Sequence, residues 1–260
     1  MQNELIYKRA VVTGASSGIG REIAKALCRA RVHVVGVGRN HVELEQTEKE
    51  LSGEYGQFFH ASVVDISKKS DRDSLFESVG SIDLLVNVAG VGYSKPFEDH
   101  TEEEIKTVIE TNLLAPIALT RGFLKNRKSK ELLQTVFVTS LAGKIGFPNM
   151  SIYSATKFGL EGLCESLRME YAGQPVSFSI LRPGVTDTHF FQRAGMESFY
   201  QSVKGTRQLY SAEKVVEEFM KGLKRAKPVV TVGRDKWFLK LLPIIPFKKR
   251  FTVLDIISKL

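Results

Sequence analysis

The stretch Arg9-Ala10-Val11-Val12-Thr13-Gly14-Ala15-Ser16-Ser17-Gly18-Ile19-Gly20, which runs on into the helix-period segment Arg21 to Arg29, decides how this chain is read. Apolar residues at consecutive positions 10–12 fit a strand buried on both faces. Glycines let the backbone turn sharply and come close to a phosphate group, and the free N–H groups of the following helix stabilise its negative charge. A tight turn without a ligand is the competing reading. The position of the glycines between a strand and a helix weighs against it.

Working outward, short β-branched runs alternate with longer segments of helical period. Arg9 to Thr13, Val32 to Val37, Phe58 to Val64, Leu84 to Asn87, Thr135 to Thr139 and Ser177 to Leu181 read as strands, with a weaker seventh at Val229 to Val232. Several are apolar throughout, and the segments between them are long enough for crossover helices. This pattern predicts an α/β fold with a doubly wound parallel sheet of the Rossmann type. Thr101 with Glu104 three residues on predicts a capping box for a helix running towards Phe123, and Ser211 predicts a cap for a helix ending near Ala226. The 260 residues, 43% hydrophobic and 25% charged, supply a sizeable core and exclude disordered and disulfide-stapled classes. One domain is expected over residues 1–233, with a lid near 186–210 and a tail over 234–260.

The spacing Gly-x-x-x-Gly-x-Gly differs from the widespread Gly-x-Gly-x-x-Gly fingerprint. With this spacing the chain resembles the shorter branch of the short-chain dehydrogenase/reductase family, which has TGxxxGxG at this place. Further motifs fall in the family's order: Asp65 after the third strand, Asn87-Val88-Ala89-Gly90 after the fourth, Asn112 in the next helix, Ser140 after the fifth, Tyr153-Ser154-Ala155-Thr156-Lys157, and Pro183-Gly184 after the sixth. The resemblance covers about residues 8 to 190. Val88 departs from it, since the family usually has a second Asn there; this touches the packing of the turn more than the chemistry.

The resemblance implies a nicotinamide dinucleotide held by Gly14, Ser16, Ser17, Gly18, Ile19 and Gly20 and by Asn87, Ala89, Gly90, Pro183 and Gly184. It also implies that Thr186 and Thr188 bond the nicotinamide carboxamide and that Asp65 accepts from the adenine amino group. Asp65 could instead cap the segment Ser67 to Val79. A carboxylate at the end of the second strand would select NAD, but the chain has Val37-Gly38-Arg39-Asn40 there. A guanidinium at Arg39 pairs with a 2′-phosphate, so NADP(H) is expected; a merely solvated Arg39 is the alternative.

Tyr153 and Lys157, four residues apart, lie on one helix face and reach one ligand. An ammonium close to the phenol favours phenolate and is expected to draw its pKa down towards neutrality, making Tyr153 the general acid of reduction and the base of oxidation. Ser140 is expected to hold the substrate oxygen, and Lys157 to donate to the nicotinamide ribose as well. From the resemblance, Asn112 holds a water joining Lys157 to solvent, and the 4-pro-S hydride is the one transferred. Taken singly, Ser140 could be a helix cap and Asn112 a polar residue bonded to a kinked backbone. No metal is called for, and Cys28 and Cys164 sit in apolar helical contexts without ligand spacing.

Phe190, Phe191, Met196, Phe199 and Tyr200 in the lid region predict either an apolar pocket for a fairly hydrophobic ketone or aldehyde, or ordinary core anchors. The net charge of +8 is unevenly placed: residues 1–220 carry 26 basic and 27 acidic side chains, and residues 221–260 carry 11 and 2. The tail Trp237 to Phe247, followed by Lys248-Lys249-Arg250, is too short and too rich in proline to span a bilayer. It suits peripheral contact with an anionic membrane, packing over the substrate mouth, or a subunit contact in a dimer or tetramer. Nucleic acid is not an expected partner. Without a stretch of about 18 apolar residues or a signal-like start, a cytoplasmic location is expected. The rival to an oxidoreductase is a nucleotide sensor or membrane-peripheral scaffold of the same fold. An epimerase or dehydratase of the longer branch is disfavoured by the loop spacing.

Overall fold

The computed structural model describes residues 5–51, 53, 55–127, 132–206 and 208–233. Expectations for the tail 234–260 lie outside them. Seven strands form one parallel sheet: β1 (Arg9–Thr13), β2 (His33–Gly38), β3 (Phe59–Val63), β4 (Leu84–Asn87), β5 (Leu133–Val138), β6 (Val176–Pro183) and β7 (Val229–Val232), in the order β3-β2-β1-β4-β5-β6-β7. The chain winds one way from β1 to β3 and the other way from β4 to β7. The switch between β1 and β4 opens a crevice at their carboxyl ends, where ligands of such sheets bind.

Alternating side chains of each strand feed opposite faces. Ala10 and Val12 pack with α1 (Gly18–Arg29), α2 (His41–Glu50) and α9 (Ala212–Lys224), through Ile23, Leu27, Leu44, Val215 and Phe219. On the other face Val11 and Leu85 meet α3 (Lys69–Val79) and α5 (Ala115–Asn126), through Leu75 and Leu119. Further along that side Phe137 and Ile180 meet Leu160 and Cys164 of α6 (Ser151–Glu170). Burial on both sides explains the unbroken apolar strands. It also places both cysteine thiols in the core, where desolvation pushes each up to about 12. Among the described residues no group of side chains could hold a metal ion, and no helix is long and apolar enough to cross a membrane.

Strand boundaries agree with the expected ones to within about two residues. β5 starts at Leu133 rather than Thr135, because Leu133 and Gln134 already pair with Val176 and Ser177. β6 extends to Pro183, which lies opposite Val232 of β7. The capping box at Thr101 and Glu104 and the Ser211 cap on Lys214 are both present.

The helix expected from Thr101 to Phe123 keeps helical backbone throughout but carries a π turn at Glu110–Leu114 between α4 (Glu102–Ile109) and α5. Pro116 stands at the start of α5 and has no N–H to offer the carbonyl of Asn112 four residues back. The local widening therefore falls on Asn112. Two short helices, α7 (Phe190–Arg193) and α8 (Glu197–Val203), make up the lid region.

Candidate active site

The Gly-rich turn runs from β1 into α1. Gly14 and Gly18 have φ of 71° and 54°, which disfavour any side chain. A Cβ on Gly20 would fall 2.2 Å from the Gly14 carbonyl oxygen, so the first turn of α1 rests directly on the turn that precedes it. Ser17 occupies the N-cap position without its side chain capping a helix N–H, and no acidic residue stands in the first turn. The N-terminal N–H groups of α1 thus keep their positive character for an anion. Arg21 steadies the turn by donating from Nη2 to the Ser16 carbonyl at 2.6 Å. Thr13, which the sequence reading passed over, joins this turn to the next: its Oγ1 accepts from the N–H groups of Val88 and Ala89 at 3.0 and 3.1 Å. Its position immediately before Gly14 was the available signal.

The candidate cofactor residues separate into groups. Ser16 lies against the end of β2, its Oγ 3.4 Å from where a Gly38 Cβ would be. Arg39 is exposed just beyond that strand. Burial alone would raise the Asp65 carboxyl, but hydrogen bonds from Ser67 and the charge of Arg39 outweigh it and hold it below its usual range. Asp65 also serves the turn into α3, accepting from the Ser67 N–H at 3.1 Å and its hydroxyl at 2.7 Å. Ile19 is packed against the core and leaves only its main chain to the turn. Asn87, 3% exposed at the end of β4, has no partner for either side-chain polar atom among the described residues. An orphaned buried amide is costly unless a ligand completes it. Beside the glycine cradle and the uncapped α1, it shows that these residues fit a dinucleotide.

Pro183 closes β6, and Gly184 packs so tightly on β7 that its Cβ would lie 2.9 Å from the Val232 carbonyl. Thr186 and Thr188, both expected near the carboxamide, are placed apart. Thr186 is buried, pairs with Tyr210, and donates its hydroxyl to the Gly184 carbonyl at 2.9 Å. Thr188 lies over the Gly-rich turn, its Cγ2 3.0 Å from where a Gly18 Cβ would be.

At the other end of the crevice, Ser140, Tyr153, Lys157 and Asn112 come together. Ser140 caps the turn Leu141–Gly143, accepting from the Ala142 N–H at 3.2 Å, and its hydroxyl also hydrogen bonds to the Tyr153 hydroxyl. Tyr153 and Lys157 share one face of α6, with Lys157 Nζ 5.5 Å from the tyrosine ring centre. The ammonium donates to the Val138 carbonyl at 3.0 Å. Gly90 lies beside it, with Nζ 3.5 Å from where a Cβ would be, an ordinary contact distance. Asn112 spends its side chain on the turn after β4. Oδ1 accepts from the Val91 N–H and Nδ2 donates to the Val91 carbonyl, each at 2.8 Å. Its side chain therefore does what the kinked-backbone reading expected, and Pro116 has no N–H to give its main-chain carbonyl.

The direction of the tyrosine shift departs from expectation. Burial pushes the Tyr153 hydroxyl up to about 12, although the Ser140 bond pulls the other way. Lys157 bonds the Val138 carbonyl rather than the phenol oxygen, and burial draws its own ammonium down to about 8. Tyr153 thus stands as a phenol that keeps its proton at neutral pH, which is the state a proton donor needs.

Two further features escaped sequence reading. Phe190 packs on Tyr153 with ring centres 5.3 Å apart, and Gly92 makes this possible, since a Cβ there would meet both rings at 3.1–3.3 Å. Phe191 is buried among Phe190, Phe199 and Tyr200, as a core anchor would be, while Phe190 packs on the tyrosine. The second feature is a buried ion pair behind the site. Arg182 Nη2 and Nε donate to Glu161 at 2.6 and 3.0 Å, and the Thr139 hydroxyl donates to the same carboxylate at 2.8 Å. Glu161, one helical step beyond Lys157, continues the spacing Tyr153–Lys157 and was legible on that ground.

A family model described as short chain dehydrogenase matches residues 8–198. The 3-ketodihydrosphingosine reductase of Bos taurus is 30% identical over 242 residues, 89% of this chain and 73% of that protein. The ketoacyl reductase HetN of a Nostoc species is 35% identical over 184 residues, 69% of this chain and 64% of that protein. Among solved structures, a short-chain dehydrogenase from Sphingobium yanoikuyae in complex with NADPH aligns with a TM-score of 0.78 at 25% identity, covering 97% of this chain and 94% of that one. One from Burkholderia phymatum in complex with NAD aligns with a TM-score of 0.79 at 23% identity, covering 88% and 89%.

Proposed function

Since this chain belongs to the short-chain dehydrogenase family of oxidoreductases, we propose that it uses NADPH to reduce the carbonyl group of a fairly hydrophobic small molecule, with Tyr153 as the proton donor. The observation that carries this reading is the convergence of Ser140, Tyr153 and Lys157, from β5 and α6, at the end of a crevice that begins at the Gly-rich turn. The bound nicotinamide supplies the hydride. Ser140 holds the substrate oxygen against the phenol, and Tyr153 gives it a proton as charge develops there. Lys157 has N–H bonds beyond the one on Val138, and these would hold the ribose hydroxyls of the nicotinamide half.

The pH dependence follows from the two shifts. Tyr153, near 12, stays protonated throughout the physiological range, whereas Lys157, near 8, carries its charge below that value and loses it above. Carbonyl reduction at saturating substrate is therefore expected to be flat near neutrality and to fall as pH rises through about 8. A profile still flat well above that value removes Lys157 from the step.

NADPH is favoured over NADH because Arg39, not an acid, follows β2 and its charge reaches Asp65 across the adenosine end. A relative crystallised with NADPH supports the same reading. Steady-state assays should give NADPH an advantage in kcat/KM of about tenfold or more, narrowed in Arg39→Ala. Preference for NADH in the unaltered chain overturns it. Apolar substrates are supported by Phe190, Met150 and Gly92 around the tyrosine and by the names of relatives that reduce ketones, 3-ketodihydrosphingosine reductase and ketoacyl reductase. A screen of acyl and alkyl ketones following NADPH absorbance tests this. No turnover on any of them, with NADPH bound, would favour the sensor reading.

A further inference from the structure

Arg193 ends α7 in the lid, and its side chain spans the crevice to two distant elements. Nη2 donates to Glu43 Oε1 of α2 at 3.0 Å, and Nη1 donates to the Ser17 hydroxyl at 3.4 Å. Those partners stand 150 and 176 residues away in sequence, so no local pattern marks the contact. Its chemistry is unusual in one respect. Ser17 is the N-cap of α1, whose uncapped N–H groups and lack of acidic residues already make that end positive. Glu43 pairs with the guanidinium on one side, and its other N–H donors stand beside that positive helix end, where a further anion gains from both.

Glu43 occupies one arm of the fork and gives a second anchor, which fixes the guanidinium plane relative to the turn. The bond to Ser17 lies at the long, weak end of the hydrogen-bond range and is easily exchanged for a charged oxygen. Thr188 rests on Gly18 of the same turn, so the lid reaches the phosphate end through two residues. We propose that Arg193 is a lid-borne ligand to the pyrophosphate of the dinucleotide, held in register by Glu43. The assignment rests on the preceding reading that the crevice takes a nicotinamide dinucleotide.

The test uses the full chain and fluorescence titration with NADPH and, separately, NADH. Arg193→Ala is expected to weaken both dinucleotides by a similar factor, about tenfold, because both carry the pyrophosphate. Arg193→Lys should recover part of the loss, keeping the charge but not the fork. Glu43→Gln should weaken both by less than Arg193→Ala does, through loss of register. The Arg193 side chain is 58% exposed, so the ligand-free variants are expected to melt with the unaltered chain, which a thermal scan checks. Unchanged affinity for both dinucleotides in Arg193→Ala overturns the assignment, and so does a loss confined to NADPH, which would place the contact on the 2′-phosphate. If the unaltered chain binds neither dinucleotide, the reading of the crevice falls, and Arg193 with it. Binding by the unaltered chain with no change in the variant sinks Arg193 alone.

Discussion

Tyr153→Phe should lower the turnover of carbonyl reduction by about 10²–10⁴-fold, the scale of a lost general acid, while leaving NADPH affinity nearly intact. The reason is chemical rather than architectural. The hydroxyl sits in the crevice on Ser140, and the ring it leaves behind keeps its packing on Phe190 and Gly92. Phenylalanine fills that space and cannot donate a proton. The expected signature is a collapse in kcat with a normal fluorescence titration of NADPH. A Phe variant with unchanged turnover on any accepted ketone would falsify the assignment of the donor. A variant that failed to bind NADPH would instead report a packing defect, which Tyr153→Trp or a thermal scan would reveal.

Arg182→Met is expected to cost the fold about 3–5 kcal/mol, the penalty of a buried charge left without its partner. Glu161 and Arg182 are both nearly inaccessible, at 6% and 7% of side-chain surface. They tie α6 to β6, and the Thr139 and Thr231 hydroxyls extend the network to the residue after β5 and to β7. Lys144, 3.3 Å from the carboxylate and partly exposed, survives as a second partner and places the loss towards the lower end of that range. In a chain of this size each kcal/mol lowers the melting midpoint by about 2–4 °C. The double variant Arg182→Met with Glu161→Leu should recover much of the loss, because no charge then remains buried. A single variant that melts within a degree of the unaltered protein would show that the pair carries no such weight.

Thr139 adjoins Ser140, Glu161 follows Lys157 by one helical step, and Arg182 precedes Pro183. The same pair thus lies directly behind the reacting groups. Its members were readable singly but not as a pair. Arg182 and Glu161 are 21 residues apart, on a strand and a helix, and only the packing of α6 on β6 brings them together. Arg193 is the stronger case, since nothing near it in the chain hints at Ser17 or Glu43.

What the sequence determined by itself is the local grammar. Strands buried on both faces write apolar runs, a helix start writes Thr101 and Glu104, and a close backbone approach demands glycine at 14, 18 and 20; each of these is a requirement of a few neighbouring residues and is therefore visible in them. Residue types also marked the proposed reacting set, because a phenol and an amine four apart on a helix must share a face. Tertiary structure decided what depends on burial and on long-range contact. The tyrosine was expected to become more acidic beside an ammonium, but burial outweighs the hydrogen bond from Ser140, and its proton is held more tightly. The helix to Phe123 acquired a π turn at Glu110–Leu114, next to Pro116, which has no N–H to give. Desolvation is a property of everything packed around a group, and a charge pair of two distant segments exists only once both are in place; neither can be written in a window of adjacent residues.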